Sequence, residues 1–176
     1  MPAQTLAPYL AKWKLPACPA DRVAYFAGFF DGEGCIQLTR TPARNRTKNP
    51  EGGVGLTTVV VNTARAPLEE MQLYFGGTIH AKTKSVTGWR QAYYWMLHGK
   101  RAAYFVAAIR DSLVTKQKQA DAVLVFAETY FASWRHCEQR GWPLTAQAVQ
   151  LRRAAFFAFR DTMMRDGLGR GISWAI

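Results

Sequence analysis

The segment Arg22 to Asp31 is apolar almost all round, the pattern of a helix buried on more than one side. Asp21 offers an oxygen to cap its start, and Gly32 and Gly34 end it. Cys35 to Thr41 then alternates, with Ile36 and Leu38 on one face and Gln37, Thr39 and Thr41 on the other, which predicts a half-buried strand. After a polar, basic loop from Pro42 to Gly53, the Val- and Thr-rich run Gly55 to Asn62 predicts the returning strand. A short helix is expected over Ala66 to Phe75, opened by Pro67 and Glu69 and closed by Gly76-Gly77. A second strand pair covers Thr78 to Lys84 and Trp89 to Leu97, with a turn around Thr87-Gly88. Three further helices are predicted over Lys100 to Arg110, Lys116 to Arg140 and Thr145 to Arg165, the last two divided by Gly141-Trp142-Pro143. The pattern is α+β: an αββαββα unit with extra C-terminal helix. Residues 1–20, interrupted by four prolines, read as an arm, 21–166 as one domain, and 167–176 as a loose, Gly-rich tail.

Composition adds a partner. The 176 residues hold 23 Lys and Arg against 12 Asp and Glu, a formal charge of +11. Hydrophobic content of 49% is enough for a real core, so this is no disordered basic tail. The charge is uneven: no acid lies between Glu70 and Asp111, where Lys82, Lys84, Arg90, Lys100, Arg101 and Arg110 fall. Arg40, Arg44, Arg46 and Lys48 crowd the first strand pair. Basic residues on strands and loops, with polar residues alternating against a buried face, favour nucleic acid over a solvated surface. A membrane surface would call for a basic amphipathic helix instead, and no apolar run is long enough to span a bilayer. Cys18, Cys35 and Cys137 are odd in number and widely spaced, which indicates neither a zinc site nor a disulfide framework and fits a reducing, intracellular setting.

The chemistry concentrates at the end of the first helix. Ala24, Gly28 and Gly32 are spaced by four and line one helix face, a bare stripe on which another backbone can come close. Glycine costs about 1 kcal/mol in a helix interior, so such a stripe needs a compensating reason. Asp31 and Glu33 sit at the helix C-terminus, against its dipole. Beside a phosphate-binding surface such carboxylates repel the ligand unless a divalent cation bridges them. Each feature has a plain alternative: Gly28 allowing close helix–strand packing, Asp31 capping a neighbouring helix end, Glu33 as a solvated turn residue. Together they favour a metal-dependent phosphodiesterase over a passive binder.

Phe26 to Gly34 resembles the LAGLIDADG motif of homing endonucleases. The match keeps Ala27-Gly28, Asp31 and a closing acid-Gly pair, with Glu33 in place of the commoner Asp. Gly76-Gly77 and the block Leu113-Val114-Thr115-Lys116-Gln117-Lys118-Gln119 are similar to later landmarks of that family, and the likeness runs to about Glu128. The resemblance implies the αββαββα fold with an antiparallel DNA-binding sheet. It implies that Glu33, with the carbonyl of Gly32, holds Mg2+, or Mn2+ or Ca2+ in its place. It implies that Asn62 positions the attacking water, that Arg65 stands at the rim of the site and that Lys116 approaches the scissile phosphate. A second motif copy is absent from the sequence, so a homodimer is expected, joined through Ala24, Gly28, Asp31 and Gly32. Double-stranded DNA would lie along Gln37, Thr39, Arg40, Thr41, Arg44, Arg46, Lys48, Thr57, Val59, His80, Lys82, Lys84, Arg90, Gln91 and Tyr93. The expected activity is site-specific cleavage of a long pseudo-palindrome inside a bacterial or phage cytoplasm or an organelle. The alternative is a non-catalytic binder such as a maturase, with intron RNA as partner.

Overall fold

A computed structural model describes residues 14–41, 53–83, 88–132 and 145–165. The elements run α1 (Ala20–Glu33), β1 (Gly34–Thr41), β2 (Gly53–Asn62), α2 (Ala66–Phe75), β3 (Thr78–Ala81), β4 (Tyr93–His98), α3 (Gly99–Ile109), a 3-10 turn (Arg110–Ser112), α4 (Gln117–Ala132) and α5 (Ala146–Arg165). The four strands form one antiparallel sheet in the order β1-β2-β4-β3, so two hairpins meet where β2 pairs with β4. This is the predicted αββαββα order followed by two more helices, α4 and α5. Among the described residues no helix is long and apolar enough to cross a membrane.

One sheet face is buried beneath the helices. Ile36, Leu56, Val60, Trp95 and Leu97 point into a core shared with Phe26 and Phe30 of α1, Leu68, Met71 and Phe75 of α2, and Phe105, Val106 and Ile109 of α3. Phe105 is its hub, with ring centroids 4.9 Å from Phe75, 5.0 Å from Trp95 and 5.2 Å from Phe30, each edge-on. Burying one such ring contributes about 1.5–3 kcal/mol, so this cluster fixes where α1 ends over the sheet. α5 packs along α4 through Phe156, Phe159 and Met163, with Phe159 set against Phe126.

The glycines at the turn between α2 and β3 have separate reasons. Gly76 and Gly77 have φ of +73° and +93°, and a Cβ on Gly77 would sit 2.6 Å from the Met96 carbonyl. Trp95 Nε1 donates to the Gly76 carbonyl at 2.8 Å, tying this turn to the core.

Several boundaries differ from expectation. α1 extends from Ala20 to Glu33, past Gly32, because the polar end still has a helical backbone and Gly34 N–H closes onto the Phe30 carbonyl. The second hairpin is shorter than predicted, over Thr78–Ala81 and Tyr93–His98. Beyond it the backbone pairing continues through Lys82 N–H, which donates to the Ala92 carbonyl at 2.8 Å. α4 starts at Gln117, after the Lys116 predicted to open it. The last predicted stretch of that helix (133–140), the Gly-Trp-Pro break, residues 1–13 of the arm, residue 166 of the domain, the whole tail (167–176) and the Thr87 half of the hairpin turn lie outside the described residues.

Candidate nucleic-acid interface and active site

The register defines the open face of the sheet. Gln37 lies opposite Thr57, which lies opposite His98; Cys35 aligns with Val59, Met96 and Thr78; and Val61 aligns with Tyr94 and His80. Gln37, His80 and His98 are exposed and Val59 is half-buried, which places the predicted Gln37, Val59 and His80 on the open side. His80 stacks on Tyr94 with ring centroids 5.2 Å apart. Thr57 shares this face but is nearly covered, and its hydroxyl meets Nδ1 of His98 at 3.0 Å.

Two predicted contacts need correction. Tyr93 lies on the core side, in register with Asn62 and Ala81 and packed against the core; its neighbour Tyr94 occupies the open face. Two adjacent tyrosines give no alternation to read, and the burial of Trp95 and Leu97 decides which one turns outward. Gln91 precedes β4 and spends its amide on the backbone, donating to the carbonyls of Lys82 (2.7 Å) and Ala92 (2.8 Å), so it pins the hairpin. Lys82 and Arg90 are exposed near that pin. Thr39, Arg40 and Thr41 belong to β1 by backbone, while Arg44, Arg46, Lys48 and Lys84 lie outside the described residues. Cys35, Thr78, Tyr94, Met96 and His98 were not anticipated on the open face. Period-two counting back from the buried Trp95 and Leu97 would have found the three on β4.

The end of α1 gathers the polar groups. Ala24, Gly28 and Gly32 are exposed, and a Cβ on Gly28 or Gly32 would meet no atom within 4 Å, so this stripe faces away from its own chain. Tyr25 and Phe29 stack beside it at 6.1 Å, with Tyr25 42% exposed. Gly34 closes the helix for a steric reason: a Cβ there would fall 2.2 Å from the Phe30 ring.

Asp31 is a cap. Its Oδ2 accepts the amides of Val114 (2.6 Å) and Thr115 (3.2 Å); its Oδ1 accepts the Lys116 amide and the Thr115 hydroxyl, both at 2.9 Å. These donors lead into α4, whose first turn needs an acceptor. Burial pushes the Asp31 carboxyl up, and the hydrogen bonds from Val114, Thr115 and Lys116 more than reverse it, leaving it below the usual aspartate range. All four bonds stay within the chain, so what the structure shows for this residue is support of α4. The Lys116 ammonium donates to the Asp31 backbone carbonyl, which brings this cation to the end of α1, two residues from Glu33. Glu33 is exposed.

No protein-family model matches the sequence, and no curated protein sequence matches it. Solved structures do match. I-CvuI, in complex with its target in the presence of Ca, aligns at a TM-score of 0.56 and 16% identity over 85% of this chain and 96% of its own. The archaeal intron-encoded I-Vdi141I, complexed with DNA, aligns at 0.54 and 16% over 85% and 98%. The homing endonuclease I-TnaI aligns at 0.52 and 16% over 85% and 99%. The chain has the LAGLIDADG homing-endonuclease fold. I-SmaMI bound to DNA shares it, but there the match covers 79% of this chain and only 45% of the other.

Within this homing-endonuclease fold the sequence-predicted residues fall into two groups. Gly32, Glu33 and Lys116 converge at the end of α1. Asn62 ends β2 two residues beyond Val60, the partner of Gly34, so the register sets it beside the same helix end. Its Oδ1 accepts the Ala64 amide at 2.8 Å, which starts the turn toward α2. Arg65 is drawn off: it pairs with Glu69 at 2.8 Å and lies 5.5 Å from the Tyr93 ring centroid.

Glu33 and the adjoining backbone carbonyls are hard oxygen donors, the type that Mg2+, Mn2+ and Ca2+ take. Among the described residues no cluster of three or more His, Cys, Asp and Glu side chains forms a metal site.

Proposed function

We propose that this protein is a site-specific double-strand DNA endonuclease that acts as a homodimer with a divalent cation, Mg2+ first among them. The observation that carries this reading is the end of α1: one bare helix face and one exposed carboxylate, beside an open antiparallel sheet. Packing the Ala24–Gly28–Gly32 stripe on its own copy is an isologous contact, and it brings two Glu33 carboxylates to one axis. The partial coverage of I-SmaMI is consistent with this, since that chain has length for a second such unit. Two sheets then form one continuous surface along a duplex, and twofold symmetry calls for a long, near-palindromic target. The +11 of each chain doubles in the pair and supplies salt-sensitive affinity for phosphates.

Glu33 and the Gly32 carbonyl are the groups that would hold the cation, which supplies charge stabilisation at the phosphate when bound. Lys116 adds a positive charge at the same helix end, where negative charge develops on the leaving oxygen. Asn62 keeps its backbone bond to Ala64 through Oδ1 and presents its amide nitrogen to a water. It orients that water without removing its proton.

The experiment compares wild type with Glu33→Gln on plasmid DNA carrying sites selected by the protein, with Mg2+ or EDTA. Expected is linear product for wild type in Mg2+ alone, and none for Glu33→Gln, which still binds the site. Cleavage by Glu33→Gln refutes the assignment of the metal site. Wild-type binding with no cutting under any divalent cation refutes the enzyme and leaves a nucleic-acid binder.

A further inference from the structure

Gln37, Thr57 and His98 form one row across the open face of the sheet, one residue from each of three neighbouring strands. The outer two are exposed, but Thr57 between them is only 7% exposed. The Thr57 hydroxyl and Nδ1 of His98 are 3.0 Å apart, and the tautomer of the ring sets which of them donates. With the hydroxyl as donor, the ring carries its N–H on Nε2, at its far side. The ring is also anchored through its backbone. His98 is the last residue of β4, extended at φ −125° and ψ 148°, and Gly99 at φ +59° turns the chain straight into α3. A donor on a strand end, locked by a side-chain bond, is oriented before any ligand arrives.

We infer that His98 is a base-reading residue that presents Nε2–H to a base-edge acceptor in the major groove, a purine N7 or a thymine O4, and that Thr57 is a positioning residue acting through it. The inference rests on the DNA-endonuclease reading and names which base chemistry one row of the sheet selects. On the major-groove edge guanine and adenine offer an N7 acceptor and thymine an O4 acceptor, whereas cytosine offers an amino donor. A fixed donor pairs with the first three and rejects cytosine. The opposite tautomer would present an acceptor and reverse the preference, so the Thr57 hydroxyl decides the sign of recognition as well as its geometry. Thr57 itself is too covered to reach a base, and the contact the sequence suggests for it passes one strand over, to His98.

The test is selection of bound duplexes from a random library by the full-length protein in EDTA, which reports base preference at every position without cutting. Wild type should exclude cytosine at one position of each half-site. His98→Ala should flatten that position alone and weaken binding to the selected site by roughly 5–100-fold, the range of one lost base contact. His98→Gln should turn the same position toward adenine, whose N6 and N7 an amide pairs with together. Thr57→Val should blur that position and Thr57→Ser should restore it. A His98→Ala profile equal to wild type overturns the inference. So does Thr57→Ser behaving like Thr57→Val, since a packing role would account for both. A wild-type protein that selects no sequence refutes the endonuclease reading instead.

Discussion

Asp31→Asn tests whether the motif acid supports α4, because it removes a charge at nearly constant volume. The amide keeps one oxygen and turns the other into NH2, a donor facing donors. Two of the four bonds to Val114, Thr115 and Lys116 are lost, and the remaining ones give up their charge assistance. At about 1 kcal/mol net for each bond, and somewhat more for a charged acceptor, the fold should lose about 2–3 kcal/mol. Each kcal/mol moves Tm by about 2–4 °C in a chain of this size, so a drop of roughly 4–12 °C is expected at neutral pH. The effect also has a pH signature. The Asp31 carboxyl is depressed in the folded state, so its stabilisation is complete above the unfolded pKa and is lost as pH falls through the folded one. The gap between wild type and variant should be full above about pH 4 and close below it. Thermal and urea denaturation over a pH series measures this. Equal stability at neutral pH, or a gap undiminished in acid, refutes the cap.

Three further outcomes follow from other sites. Gly28→Leu meets open space and gains helix propensity, so the single chain should melt no lower, by up to about 1 kcal/mol the other way; light scattering should nonetheless show the proposed homodimer replaced by monomer. Gly77→Ala forces a side chain onto φ +93° against the Met96 carbonyl, and should cost at least about 2–3 kcal/mol by urea denaturation. Lys116→Met keeps the stem and removes the charge, and should slow single-turnover cleavage by about 10²–10³-fold with little change in site affinity; an unchanged rate would remove it from the site.

Local chemistry was readable from the sequence, and distant pairing was not. α2 has the predicted bounds, because Pro67 opens it and Gly76, at φ +73°, is a residue that can close it. β1 turns Ile36 inward and Gln37 outward as alternation requires. The second hairpin failed at Tyr93 and Tyr94, two amphipathic residues in a row, where the choice belongs to Trp95 fitting beside Phe105. At the candidate site, the motif pointed to Glu33, which is exposed at the end of α1, and to a stripe that faces away from its own chain. The other half of Asp31's role lies 83 to 85 residues away, in the landmark block Leu113 to Gln119, and nothing in the sequence joins that block to Asp31. Thr57 and His98 are 41 residues apart, and their pairing depends on β2 lying next to β4, which no short-range pattern specifies.

The division of the sheet into a covered and an open face has an evolutionary consequence. Cys35, Gln37, Tyr94, Met96 and His98 share a face that the core does not use, while the proposed metal-holding groups, Gly32 and Glu33, stand on the end of a helix packed beneath the other one. Mutations on the open face can drift with small cost to folding and leave that helix end untouched. On the proposed function, a lineage built this way would follow a changing target, or be redirected to a new one, by altering a handful of side chains on a scaffold that stays the same.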